Sequence, residues 1–198
     1  DIVHTHTSKA GFLGRLAARQ SGVPIVVHTP HGNIFDGYFN RWTTRLFIGM
    51  ERHAARYADR IIELTPGGIE AHLKRGIGRR EQFEVVFSGI DLAPFDAARA
   101  RRDETRRALG CPADAFLAGG VGRLEPIKGF AYFVEAARIA AERLPKARFL
   151  VAGQGSLEQE LRAMSAPLGD RFRLLGPRDD VPALMAALDV FVLTSLNE

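Results

Sequence analysis

Short apolar runs alternate with amphipathic helical patterns along almost the whole chain, joined by connections of a few residues, and nothing else in the sequence constrains the fold as strongly. Parallel strands need a long crossover between them, usually a helix, so this rhythm predicts parallel sheets covered on both faces. In the first half the runs 2–4, 24–29, 60–64 and 83–87 read as strands. The helical patterns between them place three groups on inward faces: Phe12, Leu13, Leu16 and Ala17; then Trp42, Leu46, Gly49, His53 and Tyr57; then Ile69 and Leu73. Ser8 is the expected cap and Gly22 the stop of the first helix, while Thr65 caps the third, with Pro66 at its first position.

The rhythm breaks over 91–112, a Pro94-containing, Ala/Arg-rich stretch with no strand and one short helix from Asp103 to Leu109. It restarts with strands 116–121, 148–152, 172–175 and 190–194. The helices among these are 129–144 (Phe133, Val134, Ala137 and Ala141 inward), one carrying Leu157, Leu161 and Met164, and one starting at Pro182. The expected organisation is therefore a Rossmann-like α/β domain over 1–90, an interdomain passage over 91–112, and a second such domain over 113–198. The chain opens inside a strand pattern at Asp1-Ile2-Val3-His4 and stops just after the apolar run 190–193, so both domains are expected to be incomplete and targeting signals could lie outside.

A formal net charge of +4 over 198 residues is too mild to argue for nucleic acid, and the arginines lack interleaved aromatics; it suits anionic small molecules or an anionic membrane surface. Arg99, Arg101, Arg102, Arg106 and Arg107 form a basic run that reads first as a solvated face and second as a weak peripheral membrane contact. The lone Cys111 excludes an internal disulfide framework and a Cys-rich zinc site, as expected of a reducing, cytoplasmic setting. No apolar run approaches the roughly 18 residues of a spanning helix.

The most informative stretch for chemistry is Val121-Gly122-Arg123-Leu124-Glu125-Pro126-Ile127-Lys128-Gly129-Phe130, where a strand should end and a helix begin. Helix-start N–H groups favour an anion, Arg123 and Lys128 add charge and donors, and Gly122 and Gly129 clear the approach. Two surface cations on a loop remain the alternative. Gly153-Gln154-Gly155 lacks a small residue at the sixth position of a dinucleotide fingerprint, where Glu158 stands, so it reads as a glycine turn lining a ligand crevice. His4, His6, His28 and His31 fall at the carboxyl ends of neighbouring strands, with no carboxylate or cysteine at ligand spacing, so no metal is expected there. Alternation could bury His28, while His31, beyond the strand and next to Gly32, is the better functional candidate; His6, His28 and Gly32 are candidates for an acceptor or cleft wall. There is no Gly-x-Ser-x-Gly elbow, no Walker loop and no Asp-x-Asp pair.

Taken in order, Pro30-His31-Gly32, Ser88-Gly89-Ile90-Asp91, the stretch 121–130, Val151-Ala152-Gly153-Gln154-Gly155, Leu175-Gly176-Pro177-Arg178-Asp179-Asp180-Val181 and Ser195-Leu196-Asn197-Glu198 resemble glycosyltransferase family 4. The resemblance implies the GT-B fold of two facing Rossmann-like domains and transfer of a sugar from a nucleotide diphosphate sugar with retention, without a cofactor or metal. It implies that Gly122, Arg123 and Lys128 hold the donor diphosphate, Arg178 and Asp180 meet the nucleotide base, Glu198 touches the donor sugar, and His31 stands near the anomeric carbon. A glycan or lipid-linked acceptor at the inner face of a membrane fits the bacterial relatives that 4–11 resembles. A nucleotide-sugar epimerase and a non-catalytic nucleotide-sugar-binding module are the rival readings. The family's glycine-rich first loop and second Glu would lie outside 1–198, which puts activity of this stretch by itself in question.

Overall fold

The computed structural model of the protein describes residues 1–32 and 40–196. They form two compact units, Asp1–Gly89 and a second beginning at Ile90.

The first unit contains β1 (Ile2–His6), α1 (Ser8–Gln20), β2 (Ile25–Thr29), α2 (Arg41–Ala54), β3 (Arg60–Glu63), α3 (Pro66–Lys74) and β4 (Phe83–Val85). The four strands lie side by side in sequence order and all pair in parallel, with Thr5 opposite His28 and His6 opposite Thr29. Ala55, Ala58, Ile61, Ile69, Ile77 and Phe83 form its apolar core. As expected, Thr65 caps α3, its hydroxyl accepting from the Gly68 N–H at 3.1 Å, and Ile69 points inward.

The first two helices are rotated relative to the expectation. The buried face of α1 is Gly11, Arg15 and Ala18, and Leu13 is left 66% exposed. Gly11 lies against the imidazole of His28, where a Cβ would come within 2.3 Å of the ring. Arg15 is fully buried, donating to the Gly11 carbonyl at 2.9 Å and pairing with Glu51 of α2 at 2.7 Å. That pair turns the polar faces of both helices inward. Consequently the stripe Trp42, Leu46, Gly49 and His53 is not core: Trp42 is 78% exposed, with the Arg45 guanidinium 5.4 Å over its ring, and Glu51 and Ala54 are buried instead. A buried ion pair adds little net stability but is costly to break, so its main effect is to fix the rotation of the helices. Nor does Ser8 cap α1; Thr7 occupies that position, at φ 60° and with no side-chain cap bond.

The second unit contains α4 (Ala93–Arg99), α5 (Arg102–Ala108), β5 (Leu117–Val121), α6 (Phe130–Arg143), β6 (Arg148–Ala152), α7 (Glu158–Ser165), β7 (Phe172–Leu174), α8 (Val181–Ala187) and β8 (Val190–Phe191). Its strands run in the order β7-β6-β5-β8, all parallel. Phe130, Phe133, Val134, Ala137 and Ala141 of α6 are buried on one face of the sheet, against Phe149, Val151 and Phe172. Leu150, Leu184 and Leu188 pack on the other.

The segment 91–112 is built of two helices, both packed on α8. Two of the five arginines in the basic run are structural, not solvated. Arg106 is buried, bonding the carbonyls of Ala115 and Ala187 and pairing with Asp189 at 3.2 Å; Arg102 pairs with Asp189 at 2.5 Å. Burial opposes charge on Asp189, but the Leu117 N–H and the two guanidiniums outweigh it and hold the carboxyl below its ordinary range.

Candidate functional site

The strand order of the second unit locates its ligand crevice. Because β6 and β7 lie to one side of β5 and β8 to the other, the crossovers diverge at β5, and the crevice opens beyond the carboxyl ends there. The chain leaving β5 at that point is Gly122 to Gly129.

This turn is held from two sides. Toward the loop after β6, the Gly122 N–H donates to the Ala152 carbonyl (3.0 Å), the Leu124 N–H to Gln154 (2.9 Å) and the Leu157 N–H to Leu124 (2.9 Å). The loops approach so closely that a Cβ on Gly153 would sit 1.8 Å from the Gly122 carbonyl oxygen, and one on Gly155 2.5 Å from that of Leu124. Toward the chain after β8, the Thr194 hydroxyl donates to the Lys128 carbonyl at 3.0 Å, and the Leu196 N–H to Ile127 at 2.8 Å. Leu124 is 1% exposed and anchors the turn, while its neighbour Arg123 is exposed and, among the described residues, makes no ion pair. Pro126–Lys128 form one 3-10 turn, and Gly129 at φ 63° reverses the chain into α6. Gly122 does not adopt a positive φ; its backbone carbonyl makes the close approach to Gly153.

Gly153 also adopts φ 145°, which L side chains rarely tolerate. A Gly153→Ala substitution should cost roughly 2–3 kcal/mol from backbone strain and overpacking together, readable in urea unfolding; a loss below about 0.5 kcal/mol would contradict the packing described.

Glu125 supplies a further brace. Its carboxylate accepts from the Ser156 N–H at 3.2 Å and the Ser156 hydroxyl at 2.7 Å, tying the cationic turn to the start of the next helical segment. The hydroxyl bond is the chief reason its pKa lies below the ordinary range. Beyond β7, Arg178 and Asp180 pair with each other through two hydrogen bonds of 2.7 and 2.6 Å, which leaves part of each group for a ligand. Their bond lowers the Asp180 pKa and raises that of Arg178. Glu198 lies outside the described residues.

In the first unit, His6 ends β1 and His31 follows β2, and the structure brings them together. His6 Nδ1 and His31 Nε2 are 2.8 Å apart, with the rings stacked at 5.0 Å. His4 lies 4.2 Å from the His6 ring and bonds the Thr29 hydroxyl at 2.8 Å. Desolvation first, then the two neighbouring imidazoles, lower the His4 pKa. The two non-glycine residues with positive φ among those described are Thr7 and His31 (φ 59°), each just past a strand end, and Gly32 follows at φ 135°. Such strain costs of order 1–3 kcal/mol per residue and clusters at working sites.

His28 is the exception among these histidines. It is 1% exposed, with Nδ1 3.0 Å from the Thr5 hydroxyl, and so forms no wall for an acceptor. Strand alternation turns it inward, under Gly11. Burial first, and then the Arg15 guanidinium, lower its pKa to about 3. Among the described residues no group of three His, Cys, Asp or Glu side chains is arranged to hold a metal ion.

Comparison with known proteins settles the family. The model for a glycosyl transferase 4-like domain matches residues 1–89, and that for glycosyl transferases group 1 matches 116–198. The chain belongs to glycosyltransferase family 4. All of it aligns at 38% identity with 52% of the Escherichia coli UDP-Gal:alpha-D-GlcNAc-diphosphoundecaprenol alpha-1,3-galactosyltransferase, and at 34% with 50% of the Streptomyces fradiae 2-deoxystreptamine N-acetyl-D-glucosaminyltransferase. This glycosyltransferase chain thus spans about half the length of the curated relatives it matches. Anabaena HepE, crystallised with UDP and glucose, superposes with a TM-score of 0.78 at 26% identity over 98% of this chain and 52% of HepE. WaaG, an enzyme of lipopolysaccharide biosynthesis, shares the fold with a TM-score of 0.70 at 19% identity, over 92% of this chain and 56% of its own. The fold is GT-B, with two parallel-sheet α/β domains.

Sequence reasoning about this family 4 chain missed the Glu125–Ser156 brace and the His6–His31 contact. A Ser directly after Gly-Gln-Gly was the available signal for the first. For the second, the sequence placed the histidines at the ends of neighbouring strands but did not state the register that sets His6 against His31.

Proposed function

We propose that the protein carrying this chain transfers a sugar from a nucleotide diphosphate sugar to an acceptor hydroxyl, with retention at the anomeric carbon. The observation that carries this reading is the exposed Arg123, with Lys128 on the same braced turn, at the switch point of a doubly wound sheet. As the C1–O bond of the donor breaks, its electron pair goes to the diphosphate. Cations fixed beforehand around the departing oxygens stabilise that charge without reorganising. They act where other enzymes use a metal held by a carboxylate pair, and no metal or other cofactor is needed. Arg178 and Asp180, beyond β7 in the same sheet, serve the base, and Glu198 the donor sugar. UDP is the first nucleotide to test, because HepE binds it. The Escherichia coli relative, which acts on a diphosphoundecaprenol-linked sugar, supports a lipid-linked acceptor; we set that acceptor at the inner face of a membrane, approached by peripheral contact from the cytoplasm. No helix among the described residues is long and apolar enough to cross a membrane.

His31 orients groups at the reacting carbon. Its Nε2 is engaged by His6 whichever ring carries the proton, so Nδ1 is the edge left for the substrate. His6→Leu removes that restraint and should lower kcat about five- to tenfold, roughly one hydrogen bond's worth. His6→Asn, whose amide reaches where Nδ1 stood, should recover most of the loss. Equal rates for Leu and Asn variants would mean the contact does not orient His31. The function itself is tested by thermal shift against UDP-, GDP- and ADP-sugars: one donor at 100 times its Kd stabilises by about 2.7 kcal/mol. If no nucleotide sugar shifts the transition and none is consumed with any acceptor, the reading fails.

A further inference from the structure

The second unit has a cavity of about 370 Å³ at the end of its sheet away from the Arg123 turn. Leu117 and Arg148, the first residues of β5 and β6, line it, with Asp170 and Arg171 just before β7, and Leu150 and Arg173 within the strands. It belongs to one unit and lies at the amino ends of the strands, so it is separate from the crevice described above.

Three arginines meet here on neighbouring positions. Leu150 is opposite Arg173 and Phe149 opposite Phe172, and one step back the same parallel register brings Arg148 level with Arg171. Like charges facing each other across strands are destabilising. Among the described residues no ion pair relieves them: Asp170 is the one carboxylate in the lining, and it pairs with none of the three. Asp114, the carboxylate on which Arg148 acts electrostatically, is taken by Lys146.

Main-chain carbonyls take one nitrogen each from two of the guanidiniums. Arg173 Nη1 donates to Leu109 at 2.5 Å, and Arg148 Nη1 to Ala147 at 3.1 Å. Arg171 Nε and Nη2 are buried and, among the described residues, have no acceptor. Orphaned, buried guanidinium donors are rare because leaving them so is costly, and the usual remedy is an ion or water. A guanidinium with two unsatisfied donors has hydrogen-bonding capacity left for an oxyanion. The rest of the lining includes Leu117, Phe149 and Leu150, and the volume exceeds what one phosphate fills.

We infer that this cavity is a second anion site, which takes a phosphate monoester through Arg148, Arg171 and Arg173 and seats a small apolar group of the same ligand against Leu117 and Leu150. It does not depend on the proposed transfer reaction.

Calorimetric titration of the chain with phenyl phosphate and with inorganic phosphate tests it. Phenyl phosphate should bind with one site outside the donor turn, more tightly than inorganic phosphate. Arg171→Gln should weaken it at least tenfold, and so should Arg173→Gln at an exposed position, with an unchanged urea-unfolding midpoint showing that each variant is folded. An Arg123→Ala/Lys128→Ala double variant, which disables the proposed donor grip, should leave it unchanged. The inference is overturned if phenyl phosphate does not bind, if both glutamine variants bind as the parent does, or if the double variant alone abolishes binding. Loss of donor-sugar binding in the double variant with phenyl phosphate retained leaves this site standing, and the reverse pattern sinks it while sparing the transferase reading.

Discussion

Arg123→Ala will lower kcat of the enzyme carrying this chain about 10²–10³-fold, equivalent to ~2.7–4 kcal/mol of lost transition-state stabilisation, with a smaller change in KM. The guanidinium is exposed and unpaired among the described residues, so its removal leaves no buried charge and should not perturb folding. The loss should therefore appear in turnover at unchanged Tm. Arg123→Lys restores the charge but not the fork of donors, and should recover only part of the rate. Turnover within twofold of the parent for Arg123→Ala would remove this residue from the proposed chemistry.

The second large effect is acid destabilisation of the first unit through His28. In the folded protein its pKa is lowered to about 3, while in the unfolded chain it returns to its ordinary 6.5. Between these values the unfolded chain binds a proton that the folded unit refuses. The contribution is therefore complete above pH 6.5 and is lost as pH falls from there toward 3. The limiting slope is about 1.4 kcal/mol per pH unit, so stability should drop by about 3 kcal/mol between pH 6.5 and 4. His28→Asn keeps a polar atom toward Thr5 and cannot titrate, so its urea-unfolding free energy should vary much less with pH over that range. Parallel curves for the two proteins would show that other groups govern the acid limb.

Both predictions rest on features whose legibility in the sequence differed. The turn at 121–130 was visible because everything it needs is local: a strand end, glycines, two cations and a helix start within ten positions. The apolar face of α6 was equally plain, since Phe133, Val134, Ala137 and Ala141 repeat at helical spacing and are buried. For α1 and α2 the same reasoning chose the wrong face. Apolar periodicity carries no term for a distant partner, and the Arg15–Glu51 pair joins residues 36 positions apart. The basic run failed for the same reason, because Asp189, the anchor for Arg102 and Arg106, lies more than 80 residues downstream. Among the histidines, alternation allowed His28 to be interior but could not say that Gly11 would cover it.

The sequence by itself determined the parallel α/β architecture of both units and the family, because strand–helix alternation and short motifs depend on residues close together in the chain. Only the tertiary structure decided which face of α1 and α2 is buried, that His6 engages His31, that Gly153 and Ser156 brace the cationic turn, and that three arginines converge at the far end of the second sheet. Each of these is a contact between segments brought together by strand pairing. The energy that selects such contacts, whether ion-pair geometry, close backbone approach or repulsion between like charges, does not exist until the chain has folded.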